Sequence, residues 1–111
     1  MMDESREKTI EEMKEELANH IYALVNYWEK QPRTTHEKLD GLAFSILAML
    51  DGCTVLPSYK VSPIMVEGDK EYYIEHGENY YPEDVDIAGS LHDFYAQYSA
   101  QRDKEREEED N

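Results

Sequence analysis

The chain has 111 residues, 26 of them acidic and 11 basic, for a formal net charge of −15, and 40% of its residues are apolar. That length suits one modest core, burying roughly two-thirds of the surface the unfolded chain exposes. The charge argues against direct binding to nucleic-acid phosphate or an anionic lipid surface, and no apolar run reaches the roughly 18 residues that a spanning helix needs.

The first residues, Met1 to Glu7, are acidic with no apolar stretch behind them, unlike a signal peptide. From Ser5 to Lys30 the pattern predicts a long amphipathic helix. Ile10, Met13, Leu17, Ile21, Leu24, Val25 and Trp28 recur at three- and four-residue steps. Thr9-Ile10-Glu11-Glu12 has the form of a capping box, so the helix can start later than Ser5. Pro32 ends it. A second capping box, Thr34-Thr35-His36-Glu37, precedes Leu39, Leu42, Phe44, Ile46, Leu47, Met49 and Leu50. These residues surround most of a helix, which predicts a central, largely buried element closed by Asp51-Gly52.

Residues 54–76 change character. Pro57 and Pro63 oppose helix, and Val, Ile and Tyr dominate. Tyr59–Val66 and Glu71–Glu75 flank a turn at Glu67-Gly68-Asp69-Lys70, which reads as a β-hairpin with Pro63 at an edge or bulge. Residues 77–83 form a loop. A third helix is expected from about Asp86, with Ile87, Leu91, Phe94, Tyr95 and Tyr98 as its apolar stripe. The expected fold is α+β, in the order helix, helix, hairpin, helix, with two to three helices packed on a small antiparallel hairpin or sheet. Residues 1–100 form the single domain, and residues 101–111 a charged tail that can extend the helix but is expected to fray.

Two stretches resemble a group of small uncharacterised proteins from bacteria and their phages. One runs from Asp40 to Gly52 (DGLAFSILAMLDG) and the other from Asp86 to Tyr95 (DIAGSLHDFY). The resemblance supplies no activity and no catalytic residue. In size and charge alone the chain is also similar to acidic proteins of phages and mobile elements, including anti-CRISPR proteins.

No chemical motif emerges. His20, His36, His76 and His92 lie in separate segments without metal-ligand spacing. The lone Cys53 cannot form an internal disulfide, which fits a reducing cytosol. It also sits at the carbonyl end of the second helix, where the dipole disfavours a thiolate. His92 and Asp93, beside Ser90, point about 100° apart on a helix and cannot orient each other as a triad requires. Asp84 to Gly89 lacks the ligand pattern of a calcium loop. No catalytic residue, cofactor or metal is therefore assigned, and an enzyme ranks third among the readings.

Charge is the stronger guide. Residues 67–93 carry nine acids and one base, whereas residues 17–66 sum to zero. Within the acidic stretch, Glu67, Asp69, Glu71, Glu75, Glu78, Tyr80, Tyr81, Glu83 and Asp84 interleave carboxylates with aromatic rings. Tyrosine is favoured at interfaces, and a rim of carboxylates suits a basic partner. The alternative is a solvated acidic surface over ordinary packed tyrosines. The leading expectation is a cytoplasmic protein-binding inhibitor of phage or mobile-element type. Its acidic face would mimic nucleic-acid phosphate and block a basic groove of a nucleic-acid-binding protein, for example a CRISPR effector. The second expectation is a non-catalytic structural or regulatory module of a phage or mobile element, in which acidity serves solubility.

Overall fold

The structure, a computed structural model, describes residues 5–109. Residues 1–4, part of the stretch compared above with a signal peptide, and the last two residues of the charged tail lie outside the described residues. The helices are α1 (Ile10–Glu29), α2 (Thr35–Leu50), α3 (Asp69–Glu75) and α4 (Leu91–Glu109). No strand occurs among the described residues. The chain divides into two compact units, Met1–Ile46 and Leu47–Asn111.

The first unit follows its sequence signals closely. Thr9 and Glu12 close a capping box: Glu12 N donates to Thr9 Oγ1 at 3.1 Å, and Thr9 N donates to Glu12 Oε1 at 2.8 Å. Arg6 adds two hydrogen bonds to the same carboxylate, at 2.8 and 3.0 Å. The Arg6 guanidinium and the Thr9 amide hold the Glu12 carboxyl down at about 2. Thr34 and Glu37 repeat the box at the start of α2, at 3.1 and 3.0 Å. α1 meets α2 through Trp28. Its indole N–H donates to Ser45 Oγ at 3.0 Å, and its ring lies so close to Gly41 that an added Cβ would stand 2.4 Å away. Lys38 Nζ donates to the carbonyl of Glu29, an acceptor left open at the end of α1.

α2 is less buried than its apolar girth predicts. Met49 is fully buried, but Leu39 is 61% exposed. The helix ends in a Schellman motif. Cys53 N donates to Ala48 O at 3.0 Å and Gly52 N to Met49 O at 3.1 Å, with Gly52 at φ 85°. Gly52 is doubly constrained, because a Cβ there would also stand 2.6 Å from Ser58 Cβ.

The second unit corrects the α+β expectation: the structure is helical, and the hairpin is absent. Two local features explain this. Gly68 adopts a left-handed φ of 94°, and the Asp69 carboxylate accepts from Val66 N at 2.9 Å, closing a turn that feeds a helix. Residues 71–75, read as the second strand, therefore wind into α3. The first expected strand, Tyr59–Val66, then has no partner. Three of its backbone groups are engaged elsewhere: Tyr59 N donates to Leu50 O, Val61 N to Asp86 Oδ1, and Val61 O accepts from Ile87 N. Pro63 contributes no donor.

α4 starts at Leu91, five residues after the expected Asp86. Its expected stripe is also rotated. Phe94 and Tyr98 are 70% and 56% exposed and stack on each other, while Leu91, His92, Tyr95 and Ser99 are half-buried or buried. The stretch beyond Gln101, read above as frayed, is helical as far as Glu109.

Candidate functional site

Five of the nine sequence-selected residues come together. Glu67, Glu71, Tyr80, Tyr81 and Glu83 line one cleft of about 400 Å3, with Met65, Val66 and Pro82 as its apolar lining. The turn into α3 supplies Glu67, α3 supplies Glu71, and the following loop supplies the tyrosines and Glu83. Tyr81 meets Tyr73 edge-on at 5.9 Å, which ties the loop to α3. Lys70 Nζ stands 4.9 Å from the centre of the Tyr80 ring, so this ring already receives a cation.

The other four do not line the cleft. Asp69 is engaged with Val66 N as described. Glu75 and Glu78 are exposed. Asp84 adopts a left-handed φ of 57° in the loop before α4. Tyr72 and Tyr73, within the expected second strand, lie on α3 with their rings edge-on at 6.0 Å. Tyr72 is 57% exposed and lies 4.1 Å from the His76 ring.

A second constellation escaped the sequence reading. The side chain of Asp51 has no exposed surface. It accepts from Gly89 N at 2.5 Å, from His92 N at 2.8 Å and from His92 Nδ1 at 2.5 Å. A residue at the end of α2 thus caps the start of α4, where the helix dipole favours an anion. Burial pushes the Asp51 carboxyl up. The His92 imidazole and the amides of His92, Gly89 and Leu91 outweigh it and hold the group at about 2. The same hydrogen bond raises the His92 pKa above its ordinary value, helped by the nearby Asp93 charge and opposed by burial. The other ring nitrogen, His92 Nε2, lies 3.8 Å from Cys53 Sγ and 3.5 Å from Asp93 Oδ1. His92 is therefore oriented by Asp51, a residue 41 positions away, and not by its neighbour Asp93.

Asp86 is likewise structural. Its carboxylate accepts from Val61 N and Ala88 N at 2.8 and 3.0 Å, and those amides hold its pKa below the usual carboxylate value. Among the described residues no group of three His, Cys, Asp or Glu side chains is arranged to hold a metal, and no helix is long and apolar enough to cross a membrane. No family model matches the chain, and neither does a curated protein or a solved structure.

Proposed function

We propose that the chain is a protein-binding inhibitor whose acidic face stands in for nucleic-acid phosphate on a basic groove of a cytoplasmic nucleic-acid-binding protein. A CRISPR effector is the named example, because its channels for guide and target are basic. The observation that carries the reading is the cleft, which three carboxylates and two tyrosines line together with one base, Lys70, and an apolar patch. A concave site of this kind takes a projecting arginine or lysine. Its stem covers the apolar lining, its charge meets Glu67, Glu71 and Glu83, and Tyr81 adds an aromatic face, while the Tyr80 ring is already engaged by Lys70. The surrounding negative charge speeds encounter, and the tyrosines slow departure.

The second reading, a structural or regulatory module whose acidity serves solubility, draws on a different observation. Asp51, Asp69 and Asp86 are engaged as caps on backbone amides, so part of the charge serves the fold.

The two readings part in a binding measurement. An arginine-rich peptide is titrated at two salt concentrations against the wild-type chain, the triple variant Glu67→Lys, Glu71→Lys, Glu83→Lys, and a control reversed at Glu7, Glu11 and Glu15. Both variants have the same net charge. Under the proposal the cleft variant loses most of the affinity and the control retains it, with a lower association rate. Tyr81→Ala raises the dissociation rate. Equal weakening by both variants would leave only non-specific attraction and overturn the proposal.

A further inference from the structure

We propose that the groove between α1 and α2 docks a second copy of this chain, so that two α1–α2 pairs meet as a four-helix bundle. α1 has no buried residue along its 20 positions. Its expected stripe is only half-buried at Leu17, Ile21, Leu24 and Trp28. Beside the stripe a second row, Ala18, Tyr22, Val25 and Glu29, follows at four- and three-residue steps. All four are exposed, Tyr22 by 66%. α2 carries a row of its own, Leu39, Leu42 and Ile46. Val25 and Trp28 of one helix and Leu39 and Leu42 of the other line a groove of about 180 Å3 whose surface is almost wholly carbon. A cavity of about 150 Å3 holds one benzene ring, whereas a drug-sized ligand takes roughly 300 Å3 or more. The groove therefore suits a single apolar side chain. Leu39 is the most exposed apolar residue of the lining, so the same patch offers both a hole and a knob.

Shape, charge and area each favour a second copy as the occupant. A patch that carries its own knob and hole is complementary to itself, which is the condition for a two-fold contact. Residues 17–66 carry four acids and four bases, and the rest of the chain holds the whole net charge of −15. A basic partner is drawn to those other residues, and an acidic partner is repelled by them. Two copies repel each other least when they meet across the neutral stretch. Glu29 and Lys38 give the groove one charge of each sign, so the patch has no net repulsion for its own image. α2 has 16 residues, a length of about 24 Å, and two packed helices present a width of about 20 Å. Two such faces bury about 1,000 Å2 before side-chain relief is counted, which is the lower bound for a specific interface. The dimer is therefore reversible, with a dissociation constant on the order of 10 μM. The groove lies in the first unit and the acidic cleft in the second, so this proposal and the inhibitor reading fail separately.

The test is sedimentation velocity on the full chain, from about 1 to about 500 μM, in low and in high sodium chloride. A monomer–dimer equilibrium is expected. It should tighten several-fold as salt rises, because the repulsion between two chains of −15 is screened and the apolar contact is not. Leu39→Glu changes an exposed side chain and should weaken the dimer about thirtyfold or more, with the circular dichroism of the monomer unchanged. Leu39→Met should keep it. Phe94→Glu places the same charge on an exposed apolar residue of α4 and should change the dissociation constant by less than about threefold. A chain that stays monomeric across the whole range would overturn the proposal. So would a dimer that weakens as salt rises, one indifferent to Leu39→Glu, or one that Phe94→Glu disrupts equally.

Discussion

The two units of this chain are held by different means. In the first, order comes from short-range signals: two capping boxes that each span three residues, and a tryptophan seated on a glycine and a serine of the next helix. In the second, α3 has seven residues, and the long connecting segments are pinned by aspartates. Asp69 holds the turn into α3, Asp86 holds the Val61 segment, and Asp51 holds the start of α4. A strongly acidic composition therefore serves two ends. Some carboxylates are internal acceptors that replace a missing sheet, and others are left to face outward.

The sharpest way to break this contrast is Asp51→Ala. It strands the amides of Gly89 and His92 and the imidazole together, at a cost of about 3 kcal/mol. Hydrogen exchange should show lost protection at Gly89 and His92, while the fluorescence of Trp28, the only tryptophan, stays native.

Acid should act in the same place, with an effect on the order of 2 kcal/mol. The Asp51 carboxyl is depressed from 3.8 to about 2 in the folded state, so its contribution is complete above pH 4 and disappears as pH falls through about 2. His92 is raised, so its contribution is present below the ordinary imidazole value and fades as pH rises through the folded one. Amide protection at the start of α4 should therefore be greatest in mildly acidic solution. Glu12 in the first unit is also depressed to about 2, but its pairing with Arg6 is exposed and should weaken in high salt. The Asp51 effect should survive the same salt.

The first unit is tested by Gly41→Ala. The new methyl must displace the Trp28 ring, which should cost about 1–2 kcal/mol and shift the tryptophan emission without altering exchange at Gly89. The smallest expected effect belongs to α4. Arg102→Ala removes an exposed ion pair with Glu105 at 3.4 Å and should change stability by less than about 0.5 kcal/mol. A larger loss of thermal stability would show that this end of α4 does more than cover itself with charge.

Sequence reading succeeded where the determinants are local. Thr9, Thr34 and Gly52 announced helix boundaries that the structure contains. It failed at residues 59–75, where Val, Ile and Tyr favoured strands but Gly68 and Asp69 formed a turn that winds the chain into α3. The β-preference of those residues lost to backbone geometry. At the cleft, charge and aromatic content pointed to Glu67, Glu71, Tyr80, Tyr81 and Glu83, but could not separate them from Asp69, which serves as an acceptor in the turn. The Asp51–His92–Cys53 set had no local signature, because its members lie 39 and 41 residues apart. An aspartate at the end of one helix and a histidine at the start of another were the available signals. Each had a sufficient local explanation.

The dipeptide Asp51-Gly52 closes one helix and opens another, and this dictates an order of assembly. The capping boxes close loops of three residues and can form while the rest of the chain is still random. The Asp51 bond to His92 must close a loop of 41 residues, with an entropic cost that grows with the logarithm of loop length. It is also positioned correctly only after Gly52 has turned the chain out of α2. The α4 cap is thus expected to form late, after the folding barrier. Replacing Asp51 should accordingly steepen nothing on the refolding limb of a denaturant chevron and should instead speed unfolding by nearly the whole of the lost stability.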